Sequence, residues 1–270
     1  MKFVGRATQH RGIILKSRRE IELMRRAGRV VHAVLSRMRE LVRPGVCTAD
    51  LNVVAESMIS EAGGTALFKG VENPHARAPF PAALCTSVNE VLVHGIPDRR
   101  PLNEGDIVSI DCGVRLDGYC GDSATTIAVG QVGPRVTELL DTTQGSLELA
   151  LELIRPGLMW SEVSSRMQEF VENRGFSVVR EFVGHGIGRE MHEEPKVPNF
   201  WDERQRRYDF QLRPGVVLAI EPMVNAGRKD VQYAGEERWA VVTRDGQYAA
   251  HFEHTAAVTE SGVEVLTDGR

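Results

Sequence analysis

Cysteine is scarce. Only Cys47, Cys85, Cys112 and Cys120 occur in 270 residues. None stand in a CxxC pair, so neither a disulfide scaffold nor a Cys-rich structural zinc site is expected. A reducing cytoplasm is the simplest compartment. Long apolar runs are also missing, and without one no membrane-crossing helix is expected. The opening residues, MKFVGRATQHRG, lack the apolar segment of a signal peptide, and Thr8 is their one hydroxyl residue, which argues against a mitochondrial address. No sign of charge dominates: 33 Lys and Arg face 37 Asp and Glu, a net charge of −4. Specific DNA binding is therefore not expected. The charge is uneven, with nine Lys or Arg against two Glu in the first 30 residues. A solvated basic helix face explains this most simply, and docking to an anionic surface such as RNA is the alternative.

What is present is an ordinary globular composition, 42 % hydrophobic and 26 % charged. The chain also repeats itself. LVRPG ends at Gly45 and LIRPG at Gly157, each preceded and followed by a helical pattern. The first helix opens at SRRE, where Ser17 and Glu20 have capping-box spacing. Its apolar residues Met24, Val31, Val34, Leu35, Met38 and Leu41 recur every three or four positions. The next helix is expected from about 50 to 61, stopping at Gly63, and its counterpart from about 162 to 173, stopping at Gly175. The strands repeat as well: LNEGDIVSID (102–111) aligns with LRPGVVLAIE (212–221), so Asp111 matches Glu221. Each half reads as helices followed by antiparallel strands. An α+β fold follows, with two related halves around one central sheet, in a single domain spanning 1–270 that begins with a short basic segment at 1–16.

Carboxylates stand where a core should be. In IVSIDCGVRLDGYCGD (107–122), Asp111 follows an apolar run as if at a strand end, and an Asp-Gly turn signal precedes Asp122. A reversal near 116–118 brings the two acids together. Two ionised carboxylates in a dry place need protons, cationic partners or a metal. VGHGIGREMHEEP adds His185 and His192 at a spacing of seven, which is not the helical HExxH of zinc proteases. AIEPM adds Glu221, and HFEHTAAV adds Glu253. Asp111, Asp122, His185, Glu221 and Glu253 form an oxygen-rich donor set suited to divalent ions such as Mn²⁺ or Fe²⁺, with Co²⁺ and Zn²⁺ as alternatives. Two ions bridged by carboxylates would use every ligand and would support peptide or amide hydrolysis.

These five residues in this order, within IDCGVRLDGYCGD, GHGIGREMHEEP, AIEPM and FEHT, resemble the type I methionine aminopeptidases over nearly the whole chain. The resemblance implies the pita-bread fold, two divalent ions per chain, and removal of the initiator methionine from nascent polypeptides with a small second residue. Asp111 resembles the bidentate ligand of one ion and His185 the ligand specific to the other. Asp122 and Glu253 resemble the bridging carboxylates, and Glu221 the remaining ligand and proton shuttle. His94, in VLVHGIP, resembles the histidine that contacts the substrate amide. His192 resembles the one that hydrogen-bonds the scissile carbonyl. Cys85 matches the methionine-pocket cysteine, with Phe80, Met191 and Trp239 as further wall candidates. For each of these, core packing is the plainer alternative.

The chain departs from the family pattern twice. LFKGVENPHARAPFPAALC replaces a compact Gly-Tyr-His-Gly-Phe-Pro run, and NFWDERQRRYDFQLRPG replaces a short linker. With so short an N-terminal segment, neither the zinc-binding extension of eukaryotic relatives nor a prolidase N-terminal domain is expected. A cytoplasmic monomer that associates with the ribosome is the remaining expectation. A prolidase-like peptidase and a non-catalytic pita-bread binding protein are the rival readings.

Overall fold

The computed structural model describes residues 12–270. Ten of the residues in the basic segment at 1–16, together with Met1, therefore lie outside it. Four helices form: α1 (Arg18–Leu41), α2 (Thr48–Glu61), α3 (Pro134–Leu153) and α4 (Trp160–Glu172). Ser17 caps α1, and the capping box with Glu20 is closed in both directions. The helices after the two Arg-Pro-Gly turns end alike, with Gly63 at φ +73° and Gly175 at φ +72°, so both copies of the repeat use a left-handed residue to leave the helix.

Fifteen short strands follow the same chain order. They are β1 (Thr65–Ala66), β2 (Leu84–Val88), β3 (Val91–Val93), β4 (Ile107–Leu116), β5 (Tyr119–Ala128), β6 (Ser177–Val178), β7 (Gly184–Gly186) and β8 (Glu193–Val197). The remainder are β9 (Val217–Ile220), β10 (Met223–Asn225), β11 (Val231–Tyr233), β12 (Val241–Thr243), β13 (Ala249–His251), β14 (Glu253–Val258) and β15 (Val263–Val265). A nine-stranded sheet runs β1-β4-β5-β14-β9-β7-β8, with β2 also on β4 and β15 on β14. Every pairing in it is antiparallel. Two three-stranded sheets flank it, β13-β10-β6 and β11-β12-β3.

Strand alternation decides what the sheet presents on each side. In β4, Val108, Ile110, Cys112 and Val114 are buried against Val31, Val34 and Met38 of α1 and Leu51 and Ile59 of α2. In the other half, Leu218, Ile220, Ala256 and Val258 are buried against α3 and α4 through Leu147, Ala150, Val163 and Met167. The helices thus cover one face of the sheet. Asp111 and Glu253 carry odd numbers on strands whose helix-facing residues are even, and Glu221 follows one residue past β9 in the same parity, so they point the other way.

The strand carrying Asp111 is longer than the apolar run before it suggests. Asp111 lies mid-way along β4 rather than at a strand end, because the apolar alternation continues through Cys112 and Val114. The reversal expected at 116–118 is a two-residue turn, with Asp117 at φ +51° and Gly118 at φ +80° linking Leu116 to its partner Tyr119.

Candidate metal centre

Register converts five separated residues into two rows. Across the sheet, Cys85 pairs with Asp111, Asp111 with Ala124, and Ala124 with Glu253. Glu253 and Glu221 each stand one residue beyond the His254–Ile220 pair, where the β14–β9 ladder ends. Two residues along the strands, Gly113 pairs with Asp122. Thr255 brackets Asp122 there, its hydroxyl accepting from the Asp122 amide at 3.0 Å and donating to the Asp122 carbonyl at 2.8 Å. Thr255 pairs with Ala219, and Ala219 with His185. Asp111 and Asp122 are therefore diagonal neighbours on one face rather than directly opposed.

Donor atoms of Asp122, His185 and Glu253 lie within 4.8 Å of one another. His185 Nε2 stands 3.8 Å from Glu221 Oε1. The ring's Nδ1 sits 3.0 Å from the Gly186 carbonyl, so it donates there and leaves the Nε2 lone pair facing the acids. Burial drives the His185 pKa down to about 3, with His192 beside it, so the ring is neutral.

On the acids, burial and neighbouring negative charge act in the same direction, and both raise the pKa. Asp122 rises to about 8, through burial first and then Glu221. Glu221 rises to about 8 through burial. Asp111 and Glu253 are pushed well above the carboxylate range, again by burial and then by the other acids. No Lys or Arg lies within 4.0 Å of any of the four among the described residues; the nitrogens that approach are His185 and His251, both on Glu221. Asp111 Oδ1, Asp122 Oδ1 and Glu253 Oε1 are buried with no hydrogen-bond partner. Dehydrating an ionised carboxylate costs on the order of several kcal/mol unless a cation compensates. Carboxylate oxygens and one oriented imidazole left without partners are the donor set that a divalent cation requires, so these residues fit the group.

An apolar wall adjoins the row at Cys85. Phe68, Phe80, Ala82, Cys85 and Trp239 are buried together, with Met191 packed against them. The Phe80 and Trp239 rings meet edge-on at 5.1 Å, and the indole N–H donates to the Ala78 carbonyl at 2.9 Å. Burial, then the charge of Asp111, pushes the Cys85 thiol well above its usual pKa, so it stays uncharged. Phe80 and Gly70 close the longer 68–80 loop at its base, through Gly70 N to Phe80 O and Phe80 N to Val71 O, both 2.8 Å. The loop's tip can thus differ in length without moving Phe80. His94, at φ +60°, lies edge-on to Phe182 at 5.7 Å and to Trp239 at 6.5 Å. Burial lowers its pKa to about 4. The His192 ring stands edge-on to His185 at 4.4 Å and is also lowered by burial. All of the residues singled out in the sequence thus lie on one side of the sheet or beside it.

Comparison with known proteins agrees with this arrangement. The profile of metallopeptidase family M24 matches residues 22–260. The chain belongs to metallopeptidase family M24. Within M24 it is 45 % identical to methionine aminopeptidase 1 of Bacillus subtilis over 94 % of this chain and 99 % of that one. The solved methionine aminopeptidase of Thermotoga maritima superposes with a TM-score of 0.88 at 40 % identity, covering 95 % of this chain and 99 % of that chain. The prolidase from Pyrococcus furiosus superposes at 0.72 with 22 % identity, covering 94 % of this chain and 65 % of that one, a likeness of fold alone. The pita-bread architecture that the resemblance implied, and with which the repeat agrees, is therefore the M24 fold.

The structure adds residues that sequence reading passed over. His251 is buried at the end of β13, its Nε2 3.4 Å from Glu221 Oε2. Its i, i+2 relation to Glu253 is a strand-face spacing that would have pointed to it. The buried Asn199 donates to the Glu221 carbonyl at 2.9 Å. Nothing local to Asn199 signals this, because the partner is 22 residues away. The segment replacing the short linker forms a 3-10 turn (Glu203–Tyr208), where Arg204 is solvent-exposed and pairs with Asp202 at 3.1 Å, as a solvated loop would.

Proposed function

We propose that this M24 chain hydrolyses the N-terminal methionine from nascent proteins and peptides with a small second residue. The carrying observation is one continuous sheet face on which the acid row ends at the Cys85 wall. The charged row suits the amide and terminal amine of a substrate, and the apolar wall suits an unbranched thioether side chain. Asp111, Asp122, His185, Glu221 and Glu253 would hold two divalent ions. When bound, such ions would supply an activated water and polarise the scissile carbonyl.

The chain's own residues would do the rest. Phe80, Cys85, Met191 and Trp239 grip the methionine side chain and exclude water from it. Cys85 is suited to this because its thiol is neutral. His192 is neutral and donates a hydrogen bond to the carbonyl oxygen as that oxygen gains negative charge. His94 orients the amide that becomes the leaving amine. Glu221 takes a proton from the attacking water and delivers it to that amine. Free methionine and a peptide one residue shorter result.

We further read residues 1–270 as one catalytic domain, since strands of both halves share the nine-stranded sheet. No described helix is long and apolar enough to cross a membrane. A cytoplasmic monomer working near the ribosome fits the substrate; the basic segment invoked for ribosome contact falls mostly outside the described residues. The test is an assay on Met-Gly and Met-Ala peptides with Mn²⁺, Fe²⁺, Co²⁺ or Zn²⁺. Release of methionine that stops on chelation is expected, and no turnover with any of these ions would overturn the reading. Preferential cleavage of Xaa-Pro dipeptides would point instead to a prolidase-like activity.

A further inference from the structure

Lys16 was counted in the sequence with a solvated basic segment, yet it is buried, its side chain 4 % exposed. Its ammonium donates to Glu193 Oε2 at 2.5 Å and to the Ile14 carbonyl at 3.1 Å. The Lys16 amide donates to the Gly215 carbonyl, in the turn that precedes β9. The partner carboxylate is committed on its other side: Glu193 Oε1 accepts from the amides of Arg189 at 2.9 Å and Glu190 at 3.3 Å. These are the residues that carry the chain from His185 to His192. The Gly188 carbonyl accepts from the Cys120 amide at 2.8 Å, which ties the same turn to β5 two residues from Asp122. There is no slack. A Cβ on Gly188 would meet Lys16 Cε at 2.4 Å and Glu193 Oε1 at 2.6 Å.

We propose that the Lys16–Glu193 ion pair is a positioning device for catalysis, locking the 187–192 turn so that the His192 imidazole is held over the acid row. Glu193 is the next residue after His192, and its carboxylate is braced both by the turn's own amides and by a cation 177 residues away. A buried ion pair is a weak source of net stability. Its removal leaves an uncompensated charge and a turn free to rearrange. A misplacement of about 1 Å in a catalytic group costs up to about a hundredfold in rate. Neither Lys16 nor Glu193 touches the acid row, so the device acts through His192 and not through metal retention. The inference rests on the aminopeptidase reading of His192.

The experiment compares wild type, His192→Ala, Lys16→Met, Glu193→Gln and the milder Glu193→Asp, each loaded with Mn²⁺. Three readouts are taken: steady-state kinetics on a Met-Ala peptide, bound metal per chain, and amide exchange at Arg189 and Glu190. The expected result for the pair variants is a fall in kcat of about tenfold or more with KM within about twofold. Metal content should be unchanged, and exchange at the two amides should be faster by about tenfold or more. The Lys16→Met/Glu193→Gln double variant should lose no more than the worse single one, because the two act as a unit. Glu193→Asp keeps the charge but shortens the reach, so it should show the same direction if the other variants fail to fold. Wild-type kcat in a folded Lys16→Met or Glu193→Asp chain, or a loss traced wholly to lost metal, would overturn the proposal. The underlying reading fails separately, if His192→Ala turns over like wild type.

Discussion

The two faces of the central sheet are made by the same strands, yet they obey opposite rules. On the helix side, β4 offers Val108, Ile110, Cys112 and Val114, and burial against α1 and α2 stabilises it. On the other side the same strand offers Ser109, Asp111 and Gly113, small or charged groups that contribute no apolar burial. Here Asp111 Oδ1, Asp122 Oδ1 and Glu253 Oε1 lack partners altogether. The difference shows that stability and chemistry are separated by a single residue step. Because the strand period is two, a one-residue slip would exchange them. A long, well-packed apolar face is what allows the other face to carry unfavourable charge.

The largest effect should come from the charged face. Asp122→Asn should lower activity by about a thousandfold or more, since it removes a proposed ligand to the cation on which the proposed chemistry depends. The metal-free protein should nonetheless melt no lower than wild type above pH 8, where Asp122 is otherwise ionised and the substitution removes a buried repulsive charge. Calorimetric metal titration alongside thermal melts checks both halves. His192→Ala should retain metal and lose roughly a hundred- to a thousandfold in kcat, the scale of one donor to a developing oxyanion. Weakened metal binding would place it among the ligands instead.

On the helix face the outcome should invert. Ile110→Ala should destabilise the fold by about 2–4 kcal/mol in denaturant titrations, with kcat close to wild type well below its melting temperature.

A smaller effect follows from protonation. Asp122 and Glu221 titrate near 8 in the folded chain, above their ordinary values of 3.8 and 4.5. Their contribution to stability is therefore fully present below pH 4 and lost as pH rises through 8. His94, near 4, and His185 and His251, near 3, are held below the ordinary 6.5, so their contribution runs the other way and is lost as pH falls through about 6.5. Metal-free stability should thus fall mainly between about pH 6.5 and 8. Metal binding at pH 7 should release protons, seen as a buffer-dependent heat. Smallest of all, Trp239→Phe deletes the hydrogen bond to Ala78 and should cost about 1 kcal/mol in methionine binding, read as a severalfold rise in KM.

Much of the fold and of the centre was legible because it is written in local pattern. The capping box at Ser17, the left-handed exits at Gly63 and Gly175, and the 110-residue offset between Asp111 and Glu221 each depend only on neighbours along the chain. The misreading of Asp111 as a strand end had the same source. The unbroken apolar run stops before Asp111, whereas the alternation through Cys112 and Val114 carries the strand on to Leu116. His251 carries a local hint in its i, i+2 spacing from Glu253, but its placement depends on Thr126, which its backbone meets at 2.9 Å and 2.8 Å on a strand 125 residues away. Lys16 looked like one more exposed cation for the same kind of reason.

Residue order along the chain sets which types alternate on each strand, hence which side of the sheet is oily and which charged. The tertiary structure alone decided that β5 lies beside β14, so that Asp122 and Glu253 meet. It also decided that Lys16 reaches Glu193 and that Met191 packs beside Cys85. Side-chain direction is a property of neighbouring peptides. Which strand becomes the neighbour depends on packing helices far apart in the chain against one shared face, and no local pattern carries that information.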